Sequence, residues 1–560
     1  MHSCYSVAPT DYLTVHVSYS CSGWVTRWSV AWSFYAAAVG AWTISTPPSY
    51  AASAGFIGCV MYAISAAAPV VLIAYMGDFI QRQVPHVLSL TDFVGWRFGL
   101  AAKTYVIGMI CFNMSIAMLA EYTTIGELFG SYLGTQSFPI IIVVGCLTMC
   151  YTAYGGLLVS IITDRLQGAA SAALMSLLVV YVAATFRYPL PTPPPCDPDD
   201  PQGICVSGAN LTGYSSIFTM PVSLFVSTCF SEAMWQRVWA SDTKNNLRWG
   251  SWIAFLAIFC VVFFTGLCGL LAAWAGLITP DVDSNLYLFL ALKGSMNSLG
   301  QIANWVGVVT IIFTVIMNES AIDSMQNGLT AALSSHFLKD YPLVYTRLAV
   351  VGINIPIMVV ATRGYTILQL FLLGNMLCST SSFPVLVGLS ETLHPYYGGG
   401  GMLIACALSF AMVSIYGVSD QWNDALSSSQ NISQGMNYTW LGNFYSWQYF
   451  LIPVCVSIGS VMLTSALNYL WIHYAAKKPI ALPGFVSCAT HPHLKPSSVL
   501  KTSPVLPKDF SQGSYNIELS QDKEVLDADE AARDVAAQVN ACTQVTTSTS
   551  ASVARKSAQR

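Results

Sequence analysis

From residue 29 to residue 473 the chain alternates long apolar runs with short polar connections, and the runs are long enough to cross a bilayer as helices, at about 20 residues each. Twelve such runs can be read, over 29–50, 54–77, 103–131, 137–154, 157–185, 216–235, 248–278, 297–333, 344–363, 366–390, 399–418 and 447–473. The short alternating segments of an outer-membrane barrel do not occur. The pattern predicts an all-α integral membrane protein: a polar cytoplasmic N-terminus at 1–28, a membrane domain at 29–475, and a tail at 476–560. The tail is rich enough in Lys, Ser, Thr and Pro to be expected disordered.

Composition agrees with the pattern. Of the 560 residues 54% are hydrophobic and only 9% charged, with a mean hydropathy of +0.56, far from the roughly 25% charge of soluble domains. A net charge of -4 singles out no partner, and a nucleic-acid partner is not expected. The placement of the basic residues is more telling. Arg82, Lys103, Arg165, Arg237, Lys244 and Arg248 fall in connections on one side, whereas Arg187, Lys293 and Arg363 fall on the other. The positive-inside rule then puts both termini in the cytoplasm, for a multi-pass protein expected in the plasma membrane.

Three glycosylation sequons, at Asn210, Asn431 and Asn437, lie in connections that this orientation places outside. Cys196 and Cys205 bracket DPDDPQGI in an outside loop, where an oxidising compartment allows a disulfide. The other cysteines show no zinc spacing. The first 28 residues lack a basic and an apolar region in the order of a cleavable signal peptide. Gly398 to Gly401, without the Lys-Ser/Thr ending of a phosphate loop, are expected to be a flexible linker.

The candidate chemistry lies in residues that lipid penalises. Helix-breaking and ionisable side chains inside a span need a cavity or a partner. In the first run AWTISTPPSYA places Pro47 and Pro48 mid-span, a predicted break that leaves carbonyls around Ala41 to Thr43 without donors. The sixth run carries Pro221 and many hydroxyls, and is a second predicted break. If runs 1–5 and 6–10 form two halves, at about 29–185 and 216–390, each half opens on a broken helix, the pointer to a transporter with a midplane site.

The eighth run, TVIMNESAIDSMQNG, sets Ser320, Asp323 and Asn327 along one helical face with Glu319 on the flank. Such hard oxygen ligands suit sodium. The competing reading is an interhelical hydrogen-bond seam; the acids favour the ion site. Asp164, beside Arg165 in SIITDRLQG, is read either as a local ion pair or as part of a cation path. Glu127 is expected at the outer interface and Glu121 towards the central cavity. Polar residues Trp42, Thr43, Ser227, Thr228 and Ser231 are candidates for the solute lining.

YTAYGGLLVSIITDRLQG at 151–168 resembles the signature of the sodium:solute symporter family, the sodium/glucose cotransporter-like superfamily. LSLTDFVGWRFG at 88–99, WQRVWAS at 235–241 and the eighth run fall in the matching order. The resemblance covers about residues 28–475. It implies a five-plus-five inverted-repeat fold of the leucine-transporter type with further C-terminal spans, and alternating access. It implies a sodium site built from the backbone carbonyls of Ala36 and Val39 and the Ser320 hydroxyl, with Asp164 on the inward cation path and Trp42 and Thr43 near the solute.

Two departures stand out. Ala321 replaces a hydroxyl residue common in the family, so that Asp323 is expected either to compensate or to carry a proton. The family's extra leading span has no counterpart in the polar N-terminal stretch. The expected function is a cation-coupled symporter, using sodium or a proton and no other cofactor, for a small polar organic solute. The wording of the first and eighth runs is nearest to the urea-transporter branch; amino acids, sugars and choline-like solutes stay open, as do a passive channel and a transport-fold sensor. With no nucleophile–base set or metal spacing, an enzyme is not expected.

Overall fold

The computed structural model describes residues 27–476 apart from 85–88, 133, 187–189, 194–204, 242, 280–281, 295–303, 335–337 and 339–340. The C-terminal tail, and all of the polar N-terminus but Arg27 and Trp28, lie outside the described residues.

Among those residues the fold is all-helical. The first half comprises α1 (Arg27–Ala38), a 3-10 turn at Ala41–Ile44, α2 (Thr46–Gln83), α3 (Leu90–Phe98), α4 (Leu100–Glu127) and α5 (Ser137–Thr185). The second comprises α6 (Leu211–Cys229), α7 (Glu232–Trp239), α8 (Lys244–Trp274), α9 (Tyr287–Gly294), α10 (Asn304–Ser334), α11 (Leu343–Ala361) and α12 (Ile367–Leu386). Then follow α13 (Gly399–Asp420), α14 (Ser428–Asn437) and α15 (Trp447–Leu470). Among the described residues nine helices are long and apolar enough to cross a membrane, or ten if the bent pair α6–α7 is one span. The two remaining expected runs correspond to the broken segment from α1 into α2 and to the shorter apolar stretch Ser137–Thr152 of α5.

Local chemistry explains several boundaries. Ser89, Asn210 and Thr243 cap α3, α6 and α8, each side chain accepting from a backbone N–H in the first turn. The expected connection between the first two runs is instead a kink inside α2 at Gly55, with φ 63°, a backbone region that favours glycine. The N–H groups freed there are not wasted: Phe56 and Ile57 donate to the carbonyls of Val206 and Ser207 at 2.9 and 3.3 Å. This loop leads into the second half, so the kink of one half is tied to the entry of the other. Cys205, in the same loop, is disulfide-bonded; its expected partner, Cys196, lies outside the described residues.

Four expectations need correction. Pro47 and Pro48 do not interrupt the helix; they sit in the first turn of α2, where a missing N–H costs nothing. The break lies just ahead of them. Pro221 is inside α6, and the second break comes later, at Phe230–Ser231, where α6 and α7 meet at 67°. Gly398 to Gly401 are no flexible linker: Gly398 is the N-cap of α13 and the other three form its first turn. Asn210 and Asn431 are fully buried. The Asn210 amide donates to the Ser53 carbonyl, and that of Asn431 donates to those of Asn423 and Leu426, so neither amide nitrogen has room for a glycan in the fold. Asn437 is exposed.

Packing sets the breaks at the centre. α2 lies along α8 and α6, α10 along α5 and α4, and α12 against α4, α6 and α15. α4 and α10 both contact the 3-10 turn of the first break, and α12 links α4 to α6 at the second.

Candidate functional site

The first break begins where α1 ends at Ala38. Val39 still donates its N–H to Tyr35 O, after which the chain makes a 3-10 turn before α2. A helix start exposes N–H groups without intrahelical acceptors, and a buried carboxylate answers them here. Glu121 of α4 accepts from the N–H of Ala41 at 2.9 Å and of Trp42 at 3.5 Å, and from the Asn318 amide of α10 at 2.9 Å. The approach is close enough to demand glycine: a Cβ on Gly40 would stand 1.9 Å from Glu121 Oε1 and 3.0 Å from Ala321 Cβ. Ala321, the departure noted in the sequence, is thus a small residue at a tight crossing of helix and break.

Gly40→Ala is expected to drive the carboxylate off these N–H groups and to lower stability by about 1–3 kcal/mol, the range for overpacking. Thermal unfolding of the purified variant checks it, with Ala321→Gly as the control that adds no bulk. An unchanged melting temperature for Gly40→Ala would disprove the close approach.

The expected free carbonyls of this break are partly used. Gly40 O accepts from the Thr43 N–H and hydroxyl at 3.2 and 2.8 Å. Trp42 O accepts from the Ser45 N–H at 3.1 Å and the Thr46 hydroxyl at 3.2 Å. Thr43 is fully buried, whereas Trp42 is part-exposed and meets Phe371 edge-on at 5.9 Å, with Tyr62 at 6.2 Å. Tyr50 continues the ring group, 5.6 Å from Tyr62 and 6.1 Å from Tyr445. Tyr445 arrives from the α14–α15 connection with φ 60°, strain that a non-glycine residue keeps only when packing imposes it. It stacks on Phe450 and receives a hydrogen bond from Asn375.

At the second break the orphan groups are carbonyls. Asn113 of α4 donates to Ser227 O at 2.9 Å and Phe230 O at 3.5 Å, and the Trp235 indole donates to Cys229 O at 2.9 Å. Ser227 and Thr228 lie in the last turn of α6, their hydroxyls bonded back to Leu224 O. Ser231 is the N-cap of α7. Glu232 opens α7, 2% exposed, and its Oε2 has no hydrogen-bond partner. One helix thus serves both breaks: α4 offers an acceptor, Glu121, to the first and a donor, Asn113, to the second, two turns apart.

Between α5 and α10 runs a buried polar seam. Ser320 Oγ lies 3.3 Å from Ala36 O and 3.3 Å from Asp164 Oδ1. Asp164 Oδ2 accepts from Ser33 at 3.0 Å and from Arg237 at 2.8 Å, both charged side chains being almost fully buried. The Asp164 partner is therefore Arg237 of α7, not the neighbouring Arg165. Arg237 also donates to Ser324 Oγ and to the carbonyls of Ser33 and Ala233, at 2.7 to 2.8 Å. One helical turn further along α10, Asp323 accepts from Thr152 at 2.5 Å and Asn327 at 3.0 Å, and its Oδ2 is without a partner.

Of the five cation candidates, Ala36, Ser320 and Asp164 are brought together, Val39 is the residue that follows α1, and Asp323 forms the next station on the same face of α10. The guanidinium pairs with Asp164, and Asp323 receives only the neutral donors Thr152 and Asn327, so an ionised Asp323 would leave the seam one negative charge in surplus. Glu127 is tied to Asn285 at 2.6 Å. Asn113, Asn318 and Tyr445 were not singled out by the sequence, and Arg237, expected in a connection, is instead buried in the seam at 3% exposure; polar residues inside apolar runs were the available signal, but their partners lie tens to hundreds of positions away.

No protein-family model matches the chain. It is 28% identical over 394 residues, 69% of this chain and 72% of the other, to the spermidine transporter DUR31 of Candida albicans (strain SC5314 / ATCC MYA-2876). Among solved structures it is similar to a sodium-coupled sialic acid symporter in its substrate-bound outward-open state, with a TM-score of 0.57 and 14% identity over 80% of this chain and 90% of that one. Mhp1, a nucleobase-cation-symport-1 family transporter, aligns at a TM-score of 0.47 and 10% identity over 83% and 95% of the two chains. The chain has the five-plus-five, leucine-transporter-type fold with added C-terminal spans.

Proposed function

We propose that the protein is a cation-coupled secondary symporter that moves a small polar organic solute by alternating access. The observation that carries the reading is the seam of Asp164, Arg237 and Asp323 beside a broken helix: a buried ion pair next to a second carboxyl with an unpartnered oxygen, which an ionised Asp323 would leave short of one positive charge. A monovalent cation, sodium or a proton, supplies that charge, held by the Ala36 carbonyl, Ser320 and the two acids. Buried ionisable groups in a membrane domain mark ion pathways. Movement of α7 would transmit occupancy of the seam to the second break, because Arg237 and Glu232 share that short helix.

For the solute, Trp42 and Thr43 at the first break and Ser227 and Thr228 at the second are the proposed lining. The family resemblance favours urea. An organic cation of the polyamine kind is the better-supported class: the rings of Trp42, Tyr50, Tyr62, Phe371 and Tyr445 suit cation–π contact, Glu232 offers a carboxyl whose Oε2 has no hydrogen-bond partner, and a relative is named a spermidine transporter.

Uptake into sealed vesicles, with spermidine, choline, urea, proline and glucose compared under imposed sodium or proton gradients, tests both layers. Concentrative spermidine uptake driven by one of the two gradients is expected. Urea accumulation instead would overturn the solute class alone. Downhill flux independent of either gradient would mean a channel, and binding without flux a sensor; either result removes the symporter reading.

A further inference from the structure

Where α2 ends and α8 begins, one buried carboxylate is surrounded by three cations. Asp78 pairs with Arg82, with Arg248 at 2.9 Å and with Lys244 at 3.4 Å. The Asp78 side chain is 3% exposed, while those of Arg82, Lys244 and Arg248 are 54%, 59% and 40% exposed. Among the described residues a single carboxylate faces the three cations, so two positive charges are left over. Arg248 Nε is also buried without a hydrogen-bond partner.

The faces are regular. Tyr75, Asp78, Phe79 and Arg82 stand three and four residues apart on α2, and Lys244, Arg248 and Trp252 four apart on α8, so each set forms one stripe. Tyr75, Phe79, Trp249 and Trp252 are exposed aromatic residues on these same turns, and the Arg248 guanidinium lies 5.2 Å from the centre of the Tyr75 ring. Exposed rings next to cations at the end of a span mark the depth where acyl chains meet headgroups. A site for a soluble anion would leave those rings in water; a lipid covers both parts.

We propose that this paired stripe of α2 and α8 binds an anionic phospholipid, its phosphate bridging Arg82, Lys244 and Arg248 and its acyl chains lying over Tyr75, Phe79, Trp249 and Trp252. The same basic residues underlie the expected cytoplasmic orientation, which places the site in the leaflet where anionic lipids are concentrated. Asp78 preorganises the three side chains, holding them converged before the lipid arrives.

The test uses the full-length protein in a neutral detergent, titrated separately with phosphatidylserine, phosphatidylcholine and inorganic phosphate. Bound lipid is counted by native mass spectrometry and the melting temperature is followed. Phosphatidylserine is expected to bind and raise the melting temperature, with neither other probe doing so. Arg82→Gln, Lys244→Gln and Arg248→Gln should each weaken its binding about five-fold, and their combination should abolish it, whereas Lys293→Gln, at an exposed basic residue elsewhere, leaves it unchanged. The combined variant leaves Asp78 buried and unpaired, so Asp78→Asn is added to keep it folded; Lys244→Gln alone keeps both arginines on Asp78. Equal binding of phosphatidylcholine, an equal shift with inorganic phosphate alone, or undiminished phosphatidylserine binding to the folded combined variant would each overturn the proposal.

Discussion

Arg237→Ala is expected to cost the fold about 3–5 kcal/mol, the range for breaking one side of a buried ion pair, and to abolish uptake. The guanidinium is the only positive group that the described contacts give to Asp164, and it also reaches Ser324 and the carbonyls of Ser33 and Ala233. Its removal leaves a buried carboxylate with two hydroxyl donors, Ser33 and Ser320. It also unties α7 from α1 and α10. Thermal unfolding of the purified variant measures the loss.

Arg237→Ala combined with Asp164→Asn separates charge from packing. With no unpaired charge left, the double variant should be more stable than Arg237→Ala alone and still inactive. A melting temperature for Arg237→Ala equal to that of the parent would show that the pair does not hold the seam together. Arg237→Lys keeps the charge but not the fork that reaches several acceptors at once, and should fall between the two.

Asp323→Asn is expected to leave the fold intact and to weaken the cation's hold on transport without changing solute selectivity. Both donors to Asp323, Thr152 and Asn327, bind Oδ1, which an asparagine carbonyl replaces. The oxygen that becomes an amide is the one with no partner. Only the ability of residue 323 to carry a negative charge disappears. The cation concentration for half-maximal uptake should then rise about tenfold or more, the equivalent of about 1.4 kcal/mol of lost interaction, with the order of competing solutes unchanged. Thr43→Ala should do the reverse, because its hydroxyl shapes the first break through Gly40 O and has no place in the seam. If both variants shift ion dependence and solute order together, ion and solute do not occupy separate stations, and the assignment of roles fails.

Much of this architecture was legible in the chain itself. Apolar runs of membrane-spanning length predict helices because an unpaired backbone group in lipid is too costly for any other local structure. For that reason the expected runs fall largely on helices among the described residues, with the first and sixth interrupted by their breaks. The stations of α10 were legible too, since Ser320, Asp323 and Asn327 share a face by helical spacing alone. The prolines were a weaker guide. Pro47 and Pro48 flank the break without causing it, and Pro221 sits in regular helix, because a proline early in a helix sacrifices no bond and one farther in can be accommodated by neighbouring helices.

What only the tertiary structure decided is who answers whom. The break at Gly40 exists because Glu121, eighty positions away, accepts the N–H groups that an uninterrupted helix would have bonded internally. Asp164 could be read as paired with Arg165 or as part of a cation path, and its partner is Arg237 on a different helix. Asn210 and Asn431 satisfy a sequon but spend their amides on the fold. Local sequence determines which segments become helices, because their hydrogen bonds close within four residues. The pairing of buried charges and broken ends depends on contacts between distant segments, and those are set only when the helices pack.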